Sequence, residues 1–105
     1  MDKEAVDKFI EYIENMILLC KEEYVRDSRG CYLKDEYLKG IVMEAKGLIK
    51  YGEAAIALEN ILENLSEVSI DIDREAAKLV KQAFGEKYSN RIERILSLLT
   101  SQPNG

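Results

Sequence analysis

Residues 53–66 read Glu-Ala-Ala-Ile-Ala-Leu-Glu-Asn-Ile-Leu-Glu-Asn-Leu-Ser, and this stretch decides the fold class. Its apolar residues recur at steps of three and four, which is the period of an amphipathic helix with one buried face. We therefore predict a helix over Glu53 to Ser66. Its inward positions are Ala54, Leu58, Ile61, Leu62 and Leu65.

The same period continues on both sides of this helix. It predicts four more helices: from about Lys3 to Tyr24, from a cap at Asp35 to a C-cap at Gly52, from a cap at Asp73 to about Gly85, and from Ser89 or Asn90 onward. Residues 25–34 lose the period and contain Asp-Ser-Arg-Gly, so we predict a loop there. In 68–72 an extended connection should place Val68, Ile70 and Ile72 in the core. The expected fold is all-α: a single-domain bundle of about five helices over residues 1–100, with 101–105 as a frayed tail.

Composition argues against catalysis. The 105 residues include no histidine, so the commonest general base and the commonest zinc ligand are both missing. No sequence signature of a nucleophile elbow, a phosphate loop, a dinucleotide site or a metalloprotease is present. We expect no catalytic residue, no metal site and no cofactor.

The cysteines and the N-terminus indicate a reducing compartment. Cys20 falls at an apolar helical position, and Cys31 lies in the predicted loop; two cysteines do not make a disulfide framework. The chain opens Met-Asp-Lys-Glu without an apolar leader, and its longest unbroken apolar run is five residues. We expect a cytoplasmic protein with no membrane contact.

Charge is distributed unevenly along the chain. The formal net charge is −5, yet residues 53–75 alone hold seven acids and one base, a net charge of −6. On a helical wheel the acids of the predicted third helix lie opposite its apolar face, with Ile56 among them. No lysine lies between Glu53 and Asp73.

This acidic block has two readings. One is a solvated face that keeps the protein soluble, with Ile56 as an ordinary exposed apolar residue. The other is a docking surface for a basic protein. In that case the carboxylates raise the rate of association, and one apolar residue supplies a contact from which water is excluded. We favour the second reading. The predicted partner-binding residues are Tyr51, Glu53, Ile56, Glu59, Asn60, Glu63, Glu67 and Asp71.

The same block resembles a known signature. Tyr51-Gly52-Glu53, Ala57-Leu58-Glu59-Asn60, Glu63-Asn64-Leu65-Ser66-Glu67 and Ile70-Asp71-Ile72 look like the centre of the MafI-type immunity proteins, over about 25 residues. The resemblance implies a small helical protein, similar to the immunity proteins of contact-dependent inhibition systems, that neutralises the C-terminal toxin domain of a polymorphic toxin. Such toxins are often RNases. After Glu67 the chain departs from the signature, because Val68-Ser69-Ile70-Asp71 stands where an aromatic or proline-containing turn is expected.

Two other functions stay open. Ala76 to Leu96 reads as helix, glycine-containing turn and helix with a net charge of +3, which suits a DNA-binding helix-turn-helix. The bundle could also be a helical adaptor or a homodimer. We expect neither nucleic acid nor a membrane as partner, because the acidic chain repels both.

Overall fold

The computed structural model describes residues 1–100, so the predicted tail at 101–105 lies outside the described residues. Five α-helices and a two-stranded antiparallel hairpin make up the fold. Their bounds are α1 Lys3–Leu19, β1 Tyr24–Asp27, β2 Gly30–Leu33, α2 Lys34–Lys50, α3 Ala54–Glu67, α4 Arg74–Phe84 and α5 Asn90–Thr100, with a 3₁₀ turn at Gly85–Lys87. The predicted helical single domain is confirmed, and the hairpin is an addition to it.

The helices pack side by side in the order α4, α1, α2, α3, α5, and a smaller contact between α4 and α5 joins the two ends. Backbone hydrogen bonds also link distant parts of the chain. The Asp2 N–H donates to the Ala83 carbonyl at 3.0 Å, and the Ile72 N–H donates to the Leu99 carbonyl at 3.1 Å. The result is a body with a radius of gyration of 13.2 Å, as expected for about 100 residues in one domain.

The core is apolar throughout the described range, and no polar or charged residue is buried there. On α3, the residues Leu58, Ile61, Leu62 and Leu65 are fully buried, as predicted. Ala54 is only half-buried, whereas Ala57 is completely enclosed. Alanine offers little apolar area to distinguish an inward position from a neighbouring one, so periodicity alone misjudged these two residues.

Most predicted helix ends are confirmed. The Asp73 carboxylate accepts from the Ala76 N–H at 2.8 Å, and the Ser89 hydroxyl accepts from the Ile92 N–H at 3.3 Å. Gly52 adopts a φ of +82°, a left-handed conformation that favours glycine after a helix.

The predicted Asp35 cap is wrong. Strand β2 leads directly into α2, so Leu33 occupies the N-cap position and no side chain caps this helix. The Asp35 carboxylate instead accepts from the adjacent Glu36 N–H at 2.7 Å.

Residues 20–33 correct the sequence prediction further. Helix α1 ends at Leu19 rather than near Tyr24, because Glu22 turns the chain with a φ of +65° and β1 follows. The predicted loop is a hairpin in which Asp27 pairs with Gly30. The Asp27 carboxylate closes the turn by accepting from the backbone N–H groups of Arg29 and Gly30 at 2.7 and 3.1 Å. These hydrogen bonds lower the pKa of Asp27.

The connection between α3 and α4 buries the three residues that were predicted to enter the core. Val68, Ile70 and Ile72 are buried, while the residues between them are exposed. The Ile70 N–H donates to the Leu65 carbonyl at 2.9 Å, which ties the connection to the end of α3. The predicted extended conformation is wrong for residues 68–69, because Val68 caps the end of α3 with a ψ of 10° and Ser69 turns the chain with a φ of +56°.

Candidate docking surface on the third helix

Helix α3 lies between α2 and α5 and turns one side outward. We name that side the α3 face and define it as Ile56, Asn60, Glu63 and Glu67, residues at steps of four, three and four along the helix. Ile56 is 45% exposed, Glu67 is exposed, and Asn60 and Glu63 are half-buried. The predicted outward position of Ile56 among the acids is confirmed.

An arginine on α5 partly neutralises the acidic block. The Arg91 guanidinium lies 3.2 Å from Glu59 Oε1, and it donates a short hydrogen bond to Glu63 Oε1. The expectation of acids bare of any compensating cation is therefore wrong for these two residues. Arg91 lies 24 positions beyond Glu67 in the sequence, and only the packing of α5 against α3 brings it close.

Three other acids of the block have no cationic side chain beside them in the part of the chain that the structure describes. Glu53, Glu67 and Asp71 are exposed, and none of them forms an ion pair within residues 1–100. They do not form one cluster. Helix α3 has 14 residues and is about 21 Å long, with Glu53 before its start and Asp71 beyond its end.

Tyr51 lies at the turn between α2 and α3 and is 82% exposed. It precedes Glu53 by two residues, so an aromatic ring and an unpaired carboxylate are presented near the N-terminal end of the α3 face. Tyrosine and isoleucine supply apolar contact area at interfaces. Tyr51 and Ile56 can therefore both contribute contact to a bound protein.

On the α2 side, a tyrosine and an asparagine hold α3 in place. The Tyr37 hydroxyl donates to the Asn64 side-chain oxygen at 3.3 Å, and the Asn64 amide donates to the Asn60 carbonyl at 2.7 Å. Burial raises the pKa of Tyr37, and the nearby charge of Glu67 raises it further. Sequence reasoning missed Asn64, because an asparagine within a helix gives no sign of a partner on another helix.

Within residues 1–100, no group of three or more cysteine, aspartate or glutamate side chains could hold a metal ion. Both cysteines are free; Cys20 is buried, and burial raises the pKa of its thiol, while Cys31 is exposed. No helix in this range has both the length and the apolarity needed to cross a membrane.

The basic segment between Ala76 and Leu96 contains α4, the 3₁₀ turn and most of α5. Several of its cations face acids of the same molecule: Lys78 lies 3.4 Å from Glu75, Lys81 lies 4.0 Å from Glu93, and Arg91 pairs as described. The segment consequently presents less positive charge than its sequence suggests. These contacts do not test the two alternatives, DNA binding and self-association.

Known proteins were compared with the chain at three levels. No family model matches it, and no curated protein or solved structure matches it either.

Proposed function

We propose that this protein is an immunity protein that binds and neutralises the toxin domain of a polymorphic toxin, with a nuclease, specifically an RNase, as the expected toxin. The observation that carries the proposal is the α3 face, an outward row in which one apolar residue, Ile56, is followed by one polar and two acidic residues. The sequence resemblance to MafI-type immunity proteins supports the same function and falls on the same helix.

The mechanism is competition for a basic cleft. RNases bind the phosphate backbone of RNA and therefore present positive charge at the active site. An acidic protein surface is attracted to the same charge, covers the cleft and excludes RNA. Exposed charges such as those of Glu53, Glu67 and Asp71 act mainly on the rate of association. Ile56 and Tyr51 then supply apolar contacts that slow dissociation.

In the free protein, Arg91 occupies the position that a cationic side chain of the partner would take in the complex. It holds Glu59 and Glu63 in fixed positions in the free protein. The side chain of Arg91 is 65% exposed, and an ion pair this accessible contributes at most about 1 kcal/mol, so a partner lysine or arginine can replace it at small cost.

The proposal includes a cytoplasmic location, where a toxin delivered into the cell would act. Two free cysteines are compatible with a reducing compartment.

The test is to identify the gene immediately upstream, which the proposal expects to encode a large secreted protein with a variable C-terminal domain, and to co-express that domain with the chain. We expect the chain to restore growth and to form a complex with that domain. Failure to protect the cells, or the absence of any complex between the purified proteins, would refute the proposed function.

A matched pair of variants then tests the surface. Glu63→Gln with Glu67→Gln removes two charges from the α3 face, and Glu36→Gln with Glu44→Gln removes two from exposed positions on α2. We expect the first pair to slow association at least fivefold at low salt and the second pair to change it less than twofold. Equal effects would mean that only net charge matters and that the α3 face is not the docking surface.

A further inference from the structure

We infer that a cavity beside the hairpin receives an extended segment of a protein partner, which adds as a strand to the free edge of β1. The cavity has a volume of about 660 Å³ and lies between β1 and the connection that follows α3. This inference rests on the proposed function only in assigning the segment to the toxin. Its lining residues are Met16, Glu23, Tyr24, Val25, Arg26, Lys34, Val68, Ser69, Ile70 and Asp71.

The register of the hairpin shows which backbone groups of β1 are free. The Lys34 N–H donates to the Glu23 carbonyl at 2.8 Å, so positions 23 and 34 form a hydrogen-bonded pair. Hydrogen-bonded and non-hydrogen-bonded pairs alternate in an antiparallel ladder. Val25 and Tyr32 are therefore the next bonded pair.

It follows that the N–H and C=O groups of Tyr24 and Arg26 point away from β2. Within residues 1–100, no backbone group of another element bonds to them. Such an edge presents a row of unpaired donors and acceptors that can pair with another chain. Tyr24 and Arg26, the two residues with unpaired backbone groups, both line the cavity.

The opposite wall of the cavity is held in position by the core. The Ile70 and Ile72 N–H groups are bonded to the carbonyls of Leu65 and Leu99. Ser69, between two buried residues, has a φ of +56° and an exposed side chain. The wall is therefore anchored on both sides of Asp71, and an entering segment need not reorganise it.

The lining defines the chemistry of the segment. Val25, Val68 and Ile70 are buried apolar residues at the cavity floor, so they favour apolar side chains on one side of an entering strand. Arg26 and Asp71 line the same cavity and form no ion pair within residues 1–100. A segment that alternates apolar with polar residues and carries one acidic and one basic side chain would satisfy both charges.

The bound chain is a single extended segment rather than the hairpin of a second copy. Four residues of β1 offer about 13 Å of edge, and the cavity is of the size that encloses a small ligand or short peptide. In a second copy, β1 already carries β2 on its other edge, so a two-stranded unit would have to enter. The connection at 68–71 also lines the cavity, and a single added strand needs only about 4.8 Å beside β1, half the width that a two-stranded unit would need.

The experiment uses displayed random eight-residue peptides selected on the full chain. The enriched peptides are then measured on Arg26→Ala, which keeps the backbone N–H, and on Arg26→Pro, which removes it without breaking a bond to β2. We expect peptides with alternating apolar residues to bind Arg26→Pro at least tenfold more weakly than Arg26→Ala. A matched control, Cys31→Pro, removes an N–H that points outward from β2 and should not change the affinity.

Amide hydrogen exchange on the wild-type chain provides a measurement that does not depend on the folding of the proline variant. The N–H groups of Tyr24 and Arg26 should exchange at least tenfold more slowly when an enriched peptide is added. If no peptide is enriched, if the Arg26→Pro chain binds as well as Arg26→Ala, or if these two amides gain no protection, the inference is wrong. None of these outcomes depends on toxin neutralisation, so each proposal can fail without the other.

Discussion

Replacing Arg91 by glutamine tests the α3 face, because we expect this variant to bind its partner faster. A variant that was merely damaged would bind more slowly. The change removes a cation that lies 3.2 Å from Glu59 and is bonded to Glu63, so both carboxylates are left unpaired. If the acidic face attracts a basic partner, the variant should associate faster than the wild type. Arg94→Gln is the control, since Arg94 lies on the same helix, is exposed and forms no ion pair within residues 1–100.

Coulomb's law sets the size of the effect. Two unit charges about 10 Å apart in water interact by about 0.4 kcal/mol, which changes a rate about twofold for each positive charge that the partner brings to that distance. A cleft with two or three such charges should raise the association rate of Arg91→Gln about four- to eightfold at low salt. The Debye length is about 8 Å at physiological ionic strength, so the gain should shrink as salt is added.

The assay is stopped-flow or surface-based association with the toxin domain identified by co-expression, at several salt concentrations. The loss of an exposed ion pair should cost at most about 1 kcal/mol of folding stability, so the variant should stay folded. Equal association rates for Arg91→Gln and Arg94→Gln at low salt would refute the idea that Glu59 and Glu63 belong to the docking surface.

Two further predictions concern the fold. Leu62 is 0% exposed, so Leu62→Ala should lower the free energy of unfolding by about 2–5 kcal/mol. The control is Met43→Ala, at a side chain that is 75% exposed, which should change this free energy by less than about 0.5 kcal/mol. Chemical denaturation measures both values, and similar losses would contradict the assigned core. Burial and the hydrogen bond that its hydroxyl donates to Glu93 raise the pKa of Tyr88 from 10.0 to about 12. A raised pKa in the folded state means that this contribution to stability is complete below pH 10 and is lost as the pH rises to about 12. Stability measured across that window should fall less steeply in Tyr88→Phe, and an unchanged slope would contradict the assignment.

The helices were predictable because each has a strong period and a local start or stop signal. Asp73 and Ser89 cap their helices with their own side chains, and Gly52 takes up a conformation that glycine tolerates best. Such interactions join residues within a few positions of one another, so the sequence displays them directly.

The hairpin escaped prediction although a signal was present. Tyr24-Val25 and Cys31-Tyr32-Leu33 are β-favouring runs on either side of Asp-Ser-Arg-Gly, a combination typical of two short strands and a turn. The four-residue strands are too short to show a clear alternation of apolar and polar residues. The pairing that makes them a hairpin then depends on a turn closed by the Asp27 carboxylate.

By itself, the sequence determined the helical bundle, the apolar face of α3 and the outward position of Ile56, because these follow from the period of a helix and the removal of apolar surface from water. Only the tertiary structure decided which charges remain unpaired. Packing of α5 against α3 carries Arg91 to Glu59 and Glu63, and folding of the hairpin beside residues 68–71 creates the cavity that Tyr24 and Arg26 line. Electrostatic attraction and cavity formation depend on distances through space, and the separation of two residues along the sequence does not give their distance in the folded chain.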